Sequence, residues 1–177
     1  MPTSFDEYTA KEDDLVEILD DQGYPFMVVS LKQARRQKLC YRAVIVLFYD
    51  REGLLYLQKR SKHSVLYPEL WDVAASSYVA ANESGQDAAL RCLYSLLGVK
   101  STHCVCRTVI HKPEQFSNLN IAIFQASAPA CTPSPDSKEV DSLISVSKNE
   151  LDVLLRDFPD QISPILNFAA TQKLIFS

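Results

Sequence analysis

The longest aliphatic and aromatic run of this chain, residues 43–49, limits what the chain can become. A helix crossing a bilayer needs about 20 apolar residues, so no membrane span and no membrane partner are expected. The β-branched and aromatic content of the run predicts a strand over 41–49. Asp50, Arg51, Glu52 and Gly53 form a turn, and alternation resumes over 54–60, so the two runs read as a hairpin. Upstream, 15–19 and 24–29 read as strands about a turn at 20–23. Ser30 and Gln33 have capping-box spacing and open a short basic helix carrying Lys32, Arg35, Arg36 and Lys38. Downstream, 71–79 reads as one strand. Asn82 or Ser84 caps a helix that runs to Leu97 and stops at Gly98, with an apolar stripe of Leu90, Leu93 and Leu97. Strands are predicted over 105–110, 121–126 and 143–146, and a loop over 127–136, which holds Pro129, Pro133 and Pro135. Ser147 and Glu150 form a capping box for a helix to about 156, and Pro164 suits the first turn of a last helix over 163–173. Strands with one central helix and two at the end predict an α+β chain, a mixed sheet between helices.

Composition narrows the function. A chain of 177 residues is one domain's worth, expected over 14–177 behind a loose tail at 1–13. It can bury a sufficient core without disulfide or metal. Residues 1–14 are acidic and polar, where a secretory leader would be basic and then apolar, so a cytoplasmic location is expected. The odd set Cys40, Cys92, Cys104, Cys106 and Cys131 fits free thiols in a reducing compartment. Cys104 and Cys106 point to one face of a strand. No second pair at zinc-finger spacing follows, so they read as buried small side chains rather than as a metal pair. A net charge of -4 leaves no excess of cations for a phosphate backbone, so no nucleic-acid partner is expected. Only 4 glycines leave little material for glycine-rich phosphate loops.

One ordered series of segments carries a resemblance. LVEILDDQG ends in a turn before the basic helix. LCYRAVIVLFYDREGLLYLQKRS is a strand, turn and strand closing on Gln-x-Arg-Ser. YPELWDVAASSYVAANES leads to DAALRCLYSLLGV, and KEVDSLISVSKNEL comes late. In this order, over 15–151, the chain resembles the Nudix hydrolase superfamily. It is most similar to the branch of isopentenyl diphosphate isomerase and its hydrolase relatives. The resemblance implies the Nudix fold, a mixed sheet sandwiched between helices. It also implies hydrolysis of nucleoside diphosphates linked to another moiety, with Mg2+ or Mn2+.

The superfamily's box reads Gly, five residues, Glu, seven residues, Arg-Glu-aliphatic-x-Glu-Glu-x-Gly-aliphatic. Here the frame falls on Ser77, Glu83, Arg91, Leu93, Gly98 and Val99, while the three helix glutamates are Cys92, Ser95 and Leu96. Three carboxylates at i, i+3 and i+4 share one helix face and can hold hard divalent cations against a diphosphate. A thiol is too soft, a hydroxyl carries no charge, and leucine is apolar. The resemblance therefore implies a degenerate box. No metal cofactor is expected unless other carboxylates, from Glu69, Asp72, Glu83, Glu114 or Glu139, replace the lost ligands. Isomerase chemistry would need a cysteine and two histidines where this chain has Ser76, Tyr78 and Tyr41.

Several residues keep two readings. Glu83, Asp87 and Arg91, spaced i, i+4 and i+8, are either a box remnant or an ion-pair ladder on the helix. The resemblance places Arg60 where a guanidinium would meet diphosphate, although a strand end is the plainer reading. Ser64 stands near the family's next lysine, with Lys62 and His63 close by. Arg42 either pairs with an acid in the sheet or points into the cleft. Glu83 and Glu139 are the catalytic candidates, Glu139 because some relatives place a base or metal ligand in the late acidic segment. His63, His103 and His111 are scattered and form no ligand pair. Two functions stay open: a divergent hydrolase, or a catalytically silent ligand-binding or protein-interaction module. A phosphate-containing small molecule is the expected partner, and the chain is expected to be a monomer or homodimer.

Overall fold

The computed structural model describes residues 13–64, 66–100, 103–127 and 132–177. Residues 1–12, which make up nearly all of the expected tail, and Cys131 lie outside the described residues. The described strands are β1 (Leu15–Leu19), β2 (Pro25–Ser30), β3 (Tyr41–Tyr49), β4 (Leu55–Arg60), β5 (Trp71–Val73), β6 (Ala75–Tyr78), β7 (His103–His111), β8 (Leu119–Ser127) and β9 (Val140–Val146). The helices are α1 (Leu31–Arg36), α2 (Gly85–Leu97), α3 (Lys148–Asp157) and α4 (Pro164–Thr171).

β3 is the hub. β6 runs antiparallel along it from Ala43↔Tyr78 to Val46↔Ala75, and β8 runs parallel to it from Tyr41↔Leu119 to Tyr49↔Ser127. β7 closes that side against β8. β5 and β9 flank β4 instead. The alternation along β3 explains its unbroken apolar run. Val44, Val46 and Phe48 enter one core with Ala88, Ala89, Cys92, Leu93, Leu96 and Leu97 of α2. Ala43, Ile45, Leu47 and Tyr49 enter the other, with Leu31 of α1, Leu151 of α3, and Ile165, Leu166, Phe168 and Ala169 of α4. A strand with a core on each face needs no polar side. Helices therefore cover both faces of a mixed sheet, the α+β arrangement expected.

Two local expectations are corrected. The turn at 50–53 forms, with Asp50 Oδ1 accepting from the Glu52 and Leu54 amides and Gly53 at φ 79°. Yet β3 and β4 pair only at Tyr49↔Leu55 and then part. Each strand finds its long partners elsewhere, so the hairpin is a corner between two parts of the sheet. The strand read over 71–79 is likewise broken at Ala74, where the chain leaves β4 for β3. Periodicity registers extended chain but not which neighbour it pairs with.

Candidate functional site at the box helix

The box region is positioned by its caps. Ser84 Oγ accepts from the Asp87 amide at 3.1 Å and starts α2. Gly98 ends it in the left-handed region at φ 63°. A Cβ at Gly98 would stand 3.1 Å from the Ser134 carbonyl oxygen. Close approach and backbone angle together require glycine there. The chain before β9 returns over this end: the Asp136 and Ser134 amides donate to the carbonyls of Leu96 at 2.8 Å and Leu97 at 2.7 Å.

Glu83 lies in the loop before α2, not on the helix, so the ladder at i, i+4 and i+8 does not form as drawn. Instead Glu83 receives both arms of Arg91, Nε at 2.8 Å and Nη2 at 2.9 Å. The Ala80 amide donates to Glu83 Oε2 at 2.9 Å. Arg91 also donates to the Tyr78 carbonyl at 3.0 Å and stands 5.1 Å from the Tyr78 ring centre. This bidentate pair raises the Arg91 pKa further above its ordinary value, the hydrogen bond to Glu83 being the chief cause. Asp87 turns to Ser84, whose hydroxyl donates to it at 2.7 Å. Glu83 and Arg91 therefore brace the loop between β6 and α2. Beside them a cavity of about 590 Å³ is lined by Asp14, Tyr78, Asn82, Glu83, Asp87 and Arg91, among others.

The helix face that carries Cys92 and Leu96 is closed. Cys92 and Leu96 are both 0% exposed, packed among Val44, Val46, Phe48, Ala74 and Phe124. Ser95 is half-buried. The Cys92 thiol donates to the Ala89 carbonyl at 3.3 Å, a local helix contact.

The two arginines are used within the fold. Arg42 reaches back to β1, where Nη2 donates to Glu17 Oε2 at 2.5 Å, and 36% of its side chain is exposed. Glu17 also accepts from the Asn82 amide, so β1 and β3 together hold the box loop. Arg60 is 1% exposed. Its Nη1 donates to Asp72 Oδ2 at 3.0 Å and its Nη2 to Ser64 Oγ at 2.9 Å. Asp72 Oδ1 further accepts from Ser163 Oγ at 2.7 Å and from the Val73 amide at 2.8 Å. This clasp ties β4 and β5 to the cap of α4. Beside Asp72 in the sheet, Gln58 is fully buried and its carboxamide meets no partner among the described residues.

The remaining candidates are dispersed. Glu139 is half-buried before β9. Burial, then the nearby Asp136 charge, push its carboxyl above the usual range, and Arg60 pulls the other way. Glu69 and Glu114 are exposed, on the loop after β4 and on a short turn after β7. Among the described residues, no group of three or more His, Cys, Asp or Glu side chains is gathered for a metal ion. Ser76, Tyr78 and Tyr41 are all buried, with Tyr78 donating to Asp14. His63, His103 and His111 are exposed and lie apart. Cys104 is buried and its thiol is pushed up to about 11 by desolvation, but Cys106 is exposed, correcting its reading as a buried residue. Both cysteines lie in regular register with β8, opposite Ala126 and Phe124, and the bulge falls only beyond them, between Cys106 and Thr108. Motif and spacing do not single out Glu17, Ser163 or Gln58. Of these only Ser163 has a signal in the sequence, a serine before Pro164 at a helix start.

No protein-family model matches the chain. It is 31% identical over 91 residues to an uncharacterized Nudix hydrolase of Pseudomonas aeruginosa, covering 51% of this chain and 54% of that protein. Against an uncharacterized Nudix hydrolase of Yersinia pestis it is 29% identical over 84 residues, covering 48% and 46%. The chain thus spans about half the length of the curated relatives it matches. Among solved structures it is similar to DR0079 of Deinococcus radiodurans, with a TM-score of 0.75 at 14% identity over 93% of this chain and 100% of that one. A MutT Nudix hydrolase of Burkholderia pseudomallei superimposes with a TM-score of 0.56 at 18% identity, covering 74% and 95%. The fold is the Nudix fold, and about half of the chain is similar in sequence to proteins named as Nudix hydrolases. No helix among the described residues is long and apolar enough to cross a membrane.

Proposed function

We propose that this chain is a Nudix-fold module that binds rather than cleaves, its box having lost metal-dependent pyrophosphohydrolysis. One observation carries the reading. The three glutamate positions are Cys92, Ser95 and Leu96, and two of them are fully buried in the apolar core. A divalent cation needs charged oxygen ligands on an accessible face, and this face offers none. Its expected ligand is a phosphate-containing small molecule. Arg42, partly exposed beside the box loop although paired with Glu17, is the more accessible of the two arginines, whereas Arg60 is buried against Asp72 and acts on the fold. The order of matching segments favours the isopentenyl diphosphate isomerase branch. Isomerisation itself is disfavoured by Ser76, Tyr78 and Tyr41 at the positions of its cysteine and histidines. We take residues 14–177 as the functional unit and place it in the cytoplasm with its thiols free.

A second reading, a divergent hydrolase of nucleoside diphosphates linked to another moiety, rests on Glu139. Its carboxyl is raised by burial and stands within the field of Arg60, a combination suited to acid–base work. The discriminating experiment incubates the protein with a nucleoside-diphosphate-linked compound and Mn2+, following melting temperature and product together. Stabilisation without turnover is expected. Mn2+-dependent turnover that is lost in Glu139→Gln would contradict the binding reading.

A further inference from the structure

We propose that the β1–β2 hairpin is a self-association surface, on which a second copy of this chain adds its own β2 antiparallel to the first. Among the described strands β2 pairs only with β1, so no described strand occupies its outer edge. Four consecutive residues, Pro25 to Val28, are exposed, and only Val29 is buried. A strand lying on a core would expose alternate residues. Consecutive exposure means that β2 stands clear of the body on both faces as well as along its edge.

What it exposes is apolar. Of the ten exposed large hydrophobic residues among those described, five are here: Leu15, Tyr24, Phe26, Met27 and Val28. Edge strands are ordinarily guarded by charge, yet from Tyr24 to Ser30 there is no charged side chain. Pro25 sits at the start of the strand, where it leaves the middle free to pair.

Area and charge point to a second copy as the occupant. With roughly 200 Å² for a fully exposed residue of this size, exposures between 39% and 66% at the five positions leave about 500 Å² per copy. A two-fold contact would bury at most about 1,000 Å² in total, since β2 side chains alternate between two faces, which is the lower bound for a specific interface. An uncharged strand can oppose itself without like-charge repulsion. Antiparallel pairing centred on Met27 sets Phe26 opposite Val28 of the second copy. The same geometry brings the acidic turn, Asp20 and the exposed Asp21, which within its own chain already pairs with Lys112 at 2.7 Å, towards α1 of the second copy, which follows β2 directly and exposes Lys32 and Arg36. Opposite charges thus meet at both ends of an apolar centre, and a two-fold axis closes the assembly at two copies.

Sedimentation velocity of the full chain across micromolar to submillimolar concentration tests this. A saturating monomer–dimer equilibrium is expected for the wild type. Val28→Lys, at a half-exposed position, should weaken it about tenfold or more with an unchanged circular-dichroism spectrum and melting temperature. Asp21→Lys and the double variant Lys32→Glu, Arg36→Glu should each dimerise poorly alone and recover when mixed. A wild type that stays monomeric, a dimer indifferent to Val28→Lys, or association that grows without saturating would overturn the proposal.

Discussion

Leu96→Glu puts a carboxylate where the resemblance to the Nudix box would have one, and the closed face sets its cost. Leu96 is 0% exposed among Val44, Val46, Phe48 and Phe124. Losing its buried apolar surface costs about 2–3 kcal/mol. The new carboxyl enters the same space and cannot keep its ordinary pKa. Deeply buried glutamates rise to roughly 8–9 from about 4.3 in an unfolded chain. A native pKa above the unfolded one means that the native state binds more protons, so stability is kept below about pH 4 and lost as pH rises through the raised value. At pH 8 a shift of nearly four units adds about 5 kcal/mol. The total of about 7–8 kcal/mol rivals the whole stability of an ordinary domain. Urea denaturation of Leu96→Glu at pH 4 and pH 8 should therefore show a variant weakened at acid pH and largely unfolded at pH 8. Leu96→Met should cost less than about 1.5 kcal/mol, and Ser95→Glu, on the half-buried side, should cost far less than Leu96→Glu. The combined Cys92→Glu, Ser95→Glu, Leu96→Glu variant should gain no stability from Mn2+. A Leu96→Glu protein within about 1 kcal/mol of wild type at both pH values, or a triple variant that Mn2+ restores, would show that the face is an open cleft.

The same geometry sets three further outcomes. Asp72→Asn leaves Arg60 charged and buried without its counter-ion, so it should cost about 3–5 kcal/mol in urea denaturation; a cost under about 1 kcal/mol would mean that the clasp is not closed in solution. Cys104, buried with its pKa near 11, should resist a thiol reagent at pH 8 while exposed Cys106 reacts, as mapped by mass spectrometry of the labelled peptides; equal labelling would contradict the packing of β7. The native pKa of Glu139 lies above its ordinary value, so its contribution favours folding at acid pH and is lost as pH rises through that value. Glu139→Gln should therefore gain on wild type as pH goes from 4 to 7 in paired thermal melts; a flat difference would place the carboxyl in solvent.

Local elements are legible in the sequence, and how they pair is much less so. β1 and β3 fall where patterning puts them, the caps at Ser30 and Ser147 hold the amides expected of them, and of the two candidates Asn82 and Ser84 it is Ser84 that caps α2. These signals are local: a capping serine needs only its own helix. The two corrected places, the corner at Tyr49↔Leu55 and the break at Ala74, are set by partners more distant in sequence, β8 and β9 among them. The same division runs through the candidate site. Cys92, Ser95 and Leu96, where the resemblance would put glutamates, are legible as residue types at fixed spacing. That Cys92 and Leu96 are buried depends on strands and on a returning loop that spacing does not encode. Sequence leaves Arg42 between an acid in the sheet and the cleft, and Glu17, a residue with no motif, engages it.

Whether the box holds a working metal site is decided by titration calorimetry of Mn2+ into the wild-type chain. With the face of Cys92 and Leu96 closed, only the heat of dilution is expected at millimolar Mn2+ without nucleotide, and with a nucleoside diphosphate present only the heat of Mn2+ binding to the nucleotide itself, as given by a protein-free titration. A saturable exotherm or endotherm that disappears in Glu83→Gln or Glu139→Gln, accompanied by release of a diphosphate cleavage product, would contradict the binding reading.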